Sequence, residues 1–220
     1  MSVAFWDDPA TVQRFAEREP DLRMVEHALR FATPSATRVL DLGCAGGRNT
    51  AWLAARGFDV HARDTSAAMI EATRAAVAPA LGDAETRRRV VRGSMVDLED
   101  FATGSLDLVL ALGLYQNAET AAEWDAALDE TARVLSRGGT VLVANFTPDT
   151  TPSEGRLTSV PGDPGRYSGF PSGRSTLYQG PELDVCFAKR GLVPWTPTRV
   201  VERPTETGRR VTANAHYVKR

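Results

Sequence analysis

Short apolar runs alternate with amphipathic stretches along most of the chain, and this alternation predicts its elements. Arg38-Val39-Leu40-Asp41-Leu42 reads as a buried strand and Gly43 to Gly47 as a tight turn. A helix follows through Trp52, Leu53 and Ala54, and Gly57 ends it. Phe58 to Arg63 is a second strand, and Ser66 opens a helix containing Ala67, Met69, Ile70, Ala72 and Thr73. Val90-Val91 marks a third strand, and Leu106 to Ala111 a fourth, apolar enough for the centre of a sheet. Trp124, Ala127, Leu128, Thr131, Val134 and Leu135 share one side of a helix. Arg137-Gly138-Gly139 stops that helix before a fifth strand, Thr140 to Ala144. Strand alternating with helix in this way predicts a parallel sheet covered on both faces.

The flanks differ in texture. Asp8-Pro9 is a helix start, with Val12, Phe15 and Ala16 at helical spacing. A second helix is expected from Asp21 to Phe31, with Leu22, Val25, Ala28 and Leu29 on one face, so residues 1–34 form a helical cap on the edge or roof of the sheet. Residues 147–180 contain six Gly and five Pro and predict a structureless lid or binding insert. Pro181 to Arg190 reads as a helix ended by Gly191. Two strands, near Thr198 to Glu202 and Val211 to Val218, are joined by Thr205-Glu206-Thr207-Gly208 as a hairpin, which turns the last strand antiparallel. The expected fold is a single α/β domain over residues 1–220.

Composition narrows the function classes. A chain of 220 residues with 42% hydrophobic and 25% charged residues suits one domain with a sizeable core. No stretch approaches the roughly 20 apolar residues of a membrane span. The start, Met1-Ser2-Val3-Ala4-Phe5-Trp6, lacks the basic and apolar parts of a signal peptide, so a cytoplasmic location is expected. The net charge of −2 gives no global reason to expect a polyanionic partner, and Arg87-Arg88-Arg89 reads as a solvated helix end rather than a nucleic-acid patch. Cys44 and Cys186 offer neither metal-ligand spacing nor a disulfide framework, so they are expected to be reduced packing residues, and no metal site is expected.

The richest stretch is Val39-Leu40-Asp41-Leu42-Gly43-Cys44-Ala45-Gly46-Gly47-Arg48-Asn49. Glycines directly after a strand let the backbone turn sharply and approach a ligand at the carboxyl end of the sheet. The dinucleotide pattern G-x-G-x-x-G is broken by Ala45 and Arg48, and Asp41 ahead of the turn suits a cationic amine better than a pyrophosphate. Asp64 ends the second strand, where an acid can accept from both hydroxyls of a ribose or cap the next helix.

These residues resemble motif I of class I S-adenosylmethionine-dependent methyltransferases, D-x-G-x-G-x-G, with Asp41, Gly43 and Gly47 in register and Ala45 at the middle glycine. Alanine fits there if its φ is negative. The resemblance covers about residues 35 to 146 and implies a Rossmann-like, doubly wound, mostly parallel seven-stranded sheet with an antiparallel last strand. It implies S-adenosylmethionine as cofactor, S-adenosylhomocysteine as product, and a cofactor site of Asp41, Gly43, Cys44, Ala45, Gly47, Asn49, Asp64, Thr65, Ser94, Met95 and Leu112. Ser94 stands where the family often has an acid for the adenine amino group, and Met95 would pack on the ring. The N-P-P-Y motif of nucleic-acid and glutamine N-methyltransferases is missing at Leu112-Gly113-Leu114-Tyr115, which points away from those acceptors. Gly47-Arg48-Asn49, Gly57-Phe58-Asp59-Val60 and Thr207-Gly208-Arg209-Arg210 are similar to the tellurite-resistance and thiopurine-type branch.

Methyl transfer from a sulfonium asks mainly for alignment, so a general base is not obligatory. His27, His61 and His216 read as packing or surface residues. Tyr115 is the expected orienting residue for the acceptor; Trp6, Tyr167 and Arg174 are the other acceptor-facing candidates, and their chemistry suits a small organic molecule with an anionic group. A small-molecule acceptor, a monomer or homodimer, and no nucleic-acid or membrane partner are expected. Two rival readings stand beside methyl transfer: a non-catalytic sensor of S-adenosylmethionine, and an NAD(P)-dependent oxidoreductase.

Overall fold

The computed structural model of the chain describes residues 3–152, 155–205 and 208–220. Three short helices open it: α1 (Val3–Asp7), α2 (Pro9–Ala16) and α3 (Leu22–Ala28). The alternating body follows as β1 (Arg38–Leu42), α4 (Arg48–Ala54), β2 (Asp59–Asp64), α5 (Ala67–Leu81), α6 (Asp83–Arg89), β3 (Val90–Arg92), β4 (Leu106–Leu112), α7 (Ala121–Val134) and β5 (Leu135–Phe146). The chain then forms β6 (Thr158–Ser159), β7 (Arg166–Phe170), β8 (Gly173–Thr176), α8 (Gly180–Ala188), β9 (Leu192–Pro204) and β10 (Arg209–Lys219).

The main sheet has seven strands in the order β3-β2-β1-β4-β5-β10-β9. Strands β1 to β5 are parallel, whereas β10 runs antiparallel to both β5 and β9. The order reverses beside β1, which puts the ligand-binding crevice of such a sheet over the carboxyl ends of β1 and β4. Alternation along β1 feeds two cores. Leu40 and Leu42 pack with Trp124, Leu128 and Phe187 on one face, and Val39 packs with Leu53 and Ile70 on the other. The doubly wound architecture is therefore the one the hydrophobic pattern predicts.

Four local expectations change. The helix expected over 21–31 is Leu22–Ala28, capped by Asp21, whose carboxylate accepts from Arg23 N. Its buried face carries Met24, His27 and Ala28, while Leu22 and Leu29 are 74% and 70% exposed. The His27 ring bonds Thr140 Oγ1 at 2.9 Å, which turns that face inward. Strand β5 starts at Leu135 rather than Thr140, because a bulge with Gly138 at φ 84° carries the chain from helix to strand without a separate stop. The stretch 147–180 is not structureless among its described residues; it carries the antiparallel sheet β6-β7-β8. The tail strands are longer than expected, and Glu206 and Thr207 of the expected turn lie outside the described residues.

Candidate functional site

A cleft of about 1220 Å³ opens over the carboxyl ends of β1, β2, β4 and β5. Its floor comes from one stretch of backbone. Gly43 leaves β1 at φ 73°, and a Cβ there would lie 2.8 Å from Leu114. Gly46 has no room for a side chain because α2 crosses it; a Cβ would sit 2.5 Å from the Ala16 backbone. The turn is thus closed from above by the N-terminal helices and from the side by the loop after β4.

Ala45 corrects an expectation. It sits at φ 50°, the only non-glycine among the described residues with positive φ, and not at the negative φ an alanine prefers. Such a conformation costs about 1 kcal/mol. Both of its backbone groups are held: the amide donates to Asp64 Oδ2 at 3.0 Å, and the carbonyl accepts from Thr73 Oγ1 at 2.7 Å. Tertiary hydrogen bonds therefore impose the geometry that glycine would adopt freely.

The two acids face this turn from different strands. Asp41 is buried and accepts from Thr50 Oγ1 at 2.6 Å; desolvation raises its pKa to about 6 against the opposing hydrogen bond. Asp64, at the end of β2, takes Ala45 N on one oxygen and Ser66 N on the other, at 2.9 Å, and burial raises its pKa too. It does not cap α5, since Ser66 does so by accepting from Met69 N. Each Asp64 oxygen keeps acceptor capacity toward the cleft.

Of the residues expected to bind cofactor, Asp41, Gly43, Cys44, Ala45, Asn49, Asp64, Thr65, Ser94, Met95 and Leu112 line the cleft. Gly47 does not: at φ 83° a Cβ there would sit 2.8 Å from the Thr73 backbone, so its glycine serves the packing of α4 on α5. Asn49 has a second duty, because its Oδ1 accepts from Asp21 N at 2.9 Å and ties the N-terminal segment to α4. Cys44 is buried beside Thr73 Oγ1, and desolvation pushes its thiol up, so it stays protonated.

The acceptor-side expectations fare differently. Trp6 lines the cleft at the Asp64 end, where its carbonyl accepts from Ser66 Oγ, and its buried indole N–H has no partner among the described residues. Tyr115 does not reach the cleft. It is fully buried between Trp124 and Phe187, bonds Thr131 Oγ1 at 2.6 Å, and burial pushes its hydroxyl far up, beyond any role as a base. A 3-10 turn over Tyr115–Asn117 points Gln116 and Asn117 at the cleft instead. Tyr167 and Arg174 also miss it. The alternation of β8 turns Ser175 inward and leaves Arg174 exposed, and Phe170, Pro171 and Ser172 are the insert residues that line the wall with it.

Residues that composition and spacing did not single out complete the wall. Arg14, Arg18 and Arg23 come from the N-terminal segment, Arg203, Arg209 and Arg210 from the last hairpin, and Phe146 from the end of β5. Glu123 lines it as well, its pKa raised by burial. His27 and His61 are buried and His216 half-buried elsewhere, each pushed down to about 4 by desolvation, and they are neutral packing residues. A smaller polar hollow of 650 Å³ beside Glu130 and Arg133 holds no convergent chemistry; those two side chains pair with each other at 2.6 Å. Among the described residues no group of three or more His, Cys, Asp or Glu is placed to hold a metal, and no helix is long and apolar enough to cross a membrane.

Residues 39–139 match the family described as a methyltransferase domain. The fold is shared with many solved structures. An S-adenosylmethionine-dependent methyltransferase from Methanosarcina mazei is 17% identical with a TM-score of 0.66, over 91% of this chain and 98% of that one. The CcbJ methyltransferase from Streptomyces caelestis is 18% identical with a TM-score of 0.65, over 100% of both chains. The 1,6-didemethyltoxoflavin-N1-methyltransferase from Burkholderia thailandensis, with 1,6-didemethyltoxoflavin and S-adenosylhomocysteine bound, is 19% identical with a TM-score of 0.62, over 98% of this chain and 81% of that one.

Proposed function

We propose that this chain, a class I S-adenosylmethionine-dependent methyltransferase, transfers the methyl group to a small organic molecule by direct in-line displacement. The observation that carries the reading is the floor of the cleft: Asp41, the Gly43–Ala45 turn and Asp64 face one space. That space, about 1220 Å³, exceeds the roughly 300–1,000 Å³ of a single-ligand pocket and leaves room for a second molecule. The Burkholderia protein of the same fold, which holds 1,6-didemethyltoxoflavin together with S-adenosylhomocysteine, is consistent with room for two molecules.

The residues fit the cofactor. Gly43 and Ala45 let the backbone approach its methionine part, and the buried Asp41 carboxylate favours its ammonium. Asp64 would accept from ribose hydroxyls, and Ser94 and Met95 would flank the adenine. Trp6 lines this end, and its buried N–H, without a partner among the described residues, could donate to a ligand acceptor. The bound cofactor supplies a sulfonium methyl; the acceptor's nucleophilic atom bonds to that carbon as the carbon–sulfur bond breaks. The protein's own contribution is alignment and exclusion of water by the aromatic wall. Burial raises the pKa of Glu123 on that wall, and its carboxylate would be the group to take a proton from a hydroxyl or ammonium acceptor.

Calorimetry with S-adenosylmethionine, S-adenosylhomocysteine and NAD(H) tests the class, followed by turnover of methyl-labelled cofactor with candidate acceptors. Binding of the first two ligands and labelled product are expected. Binding of NAD(H) alone overturns the reading, and tight binding without turnover in any acceptor screen replaces it by a sensor.

A further inference from the structure

The chain as a whole carries a net charge of −2, yet its cleft is strongly basic: eight arginines line it against four carboxylates, with no lysine or histidine. Part of that excess is locally satisfied. Arg23 pairs with Asp21 at 2.8 Å, Arg63 with Asp100 at 3.0 Å, Arg48 donates to the Glu19 carbonyl, and Arg209 reaches Glu202 and the Asp149 carbonyl. Arg14, Arg18, Arg203 and Arg210 have no carboxylate partner among the described residues. The repulsion is felt: burial and then the charges of Arg48, Arg210 and Arg14 pull the Arg18 guanidinium below its usual range. A zwitterionic cofactor tail brings one carboxylate and does not neutralise such a group.

The register of the sheet says how these charges are presented. Arg203 and Arg210 stand directly opposite each other on β9 and β10, a like-charge pair that destabilises a hairpin by itself. Two residues along β10, Thr212 faces Val201 on one side and Phe146 of β5 on the other. Positions two apart and positions directly opposite share a sheet face, so Phe146, Thr212, Val201, Arg210 and Arg203 form one continuous surface. All five line the cleft, and Phe170 of the insert stacks on Phe146 at 5.6 Å. The surface is aromatic toward the centre of the sheet and cationic toward its end.

We propose that the acceptor is an anionic aromatic molecule, its ring against Phe146 and Phe170 and its carboxylate or phosphate on the guanidinium groups of Arg203, Arg210 and Arg18. The assignment rests on the methyl-transfer reading above and adds the substrate class. Planar, forked guanidinium donors match either anion bidentately, and an acceptor of this shape neutralises the like-charge pair that the hairpin holds together.

The test is a titration of the full chain, first with S-adenosylhomocysteine and then, in the loaded protein, with 2-naphthoate, 2-naphthyl phosphate and the uncharged 2-naphthamide. At least one anion is expected to bind about tenfold or more tighter than the amide, with the advantage shrinking as salt rises; which of the two wins separates a carboxylate from a phosphate acceptor. In Arg203→Gln combined with Arg210→Gln, the advantage is expected to vanish while S-adenosylhomocysteine affinity, set at the other end of the cleft, persists and reports an intact fold. Equal affinity for all three probes, or none for any, in a protein that takes up S-adenosylhomocysteine overturns the proposal alone. A wild-type chain that does not take up S-adenosylhomocysteine fails the methyl-transfer reading, and the substrate class falls with it.

Discussion

The two sides of the cleft are built on different plans. The side proposed for the cofactor is a short run of chain, from Asp41 through Ala45 to Asp64, tied by hydrogen bonds at 2.6 to 3.0 Å. The side proposed for the acceptor gathers Arg18, Phe146, Phe170 and Arg210 from four distant segments, and Arg18 and Arg210 have no carboxylate partner among the described residues. The first is an over-determined scaffold in which a strained alanine is tolerated because its neighbours impose it. The second gathers arginines without carboxylate partners among the described residues, which fits the proposed anionic acceptor. Substitutions should therefore separate by region, with cofactor affinity and acceptor selectivity changing independently.

The largest expected effect lies on the cofactor side. Asp64→Ala removes the acceptor of Ala45 N and Ser66 N together with the ribose partner. Affinity for S-adenosylhomocysteine should fall about 100-fold, and stability by about 2 kcal/mol. Calorimetry and a urea melt read both, and an unchanged affinity would mean that the ribose lies elsewhere. The arginine pair on the last hairpin should leave that affinity unaltered, which is the sharpest form of the comparison.

The next effect concerns pH. Burial raises Asp41 to about 6, and a ligand ammonium favours the ionised carboxylate, so binding below that pH must expel a proton. Affinity should be full above about pH 6 and fall as pH drops through it, approaching about tenfold per unit. Titrations of S-adenosylhomocysteine from pH 5 to 8 check it, and Asp41→Asn should flatten the profile. A profile that is already flat in the wild type would place the ammonium away from Asp41.

Two smaller effects test the boundary between scaffold and wall. Tyr115→Phe removes a buried bond to Thr131 Oγ1, which retains its donation to the Ala127 carbonyl. Loss of about 1 kcal/mol in stability is expected, with acceptor kcat/KM within about twofold of wild type; a large loss of turnover would return Tyr115 to the site. Ala45→Gly relieves the φ of 50° and should stabilise by about 0.5–1 kcal/mol, raising Tm by about 1–4 °C in a calorimetric scan.

Much of the proposed cofactor side's place in the cleft was legible beforehand. Asp41, Gly43, Asp64 and Met95 were identified from a strand, a glycine turn and the resemblance they carry, and each lines the cleft. The reading failed where one residue of register mattered. Tyr115 and Gln116 are neighbours in a 3-10 turn, and only the packing against Trp124 and Phe187 decides that the tyrosine goes inward. Arg174 failed for the same reason beside Ser175 on β8. The sign of φ at Ala45 was not readable either, because it depends on Asp64 and Thr73, which lie 19 and 28 residues away.

By itself the sequence determined the alternation of strand and helix, the glycine turn after the first strand, and the acids at two strand ends. These are properties of period, chirality and backbone sterics, which act over a few residues. Only the tertiary structure decided which residues line the far side of the cleft, proposed for the acceptor. The arginines of α2, its following segment and the last hairpin meet because the sheet brings β10 between β5 and β9, and no local rule links segments so far apart. Charge that is unremarkable when counted along the chain becomes a site when folding concentrates it in one cleft.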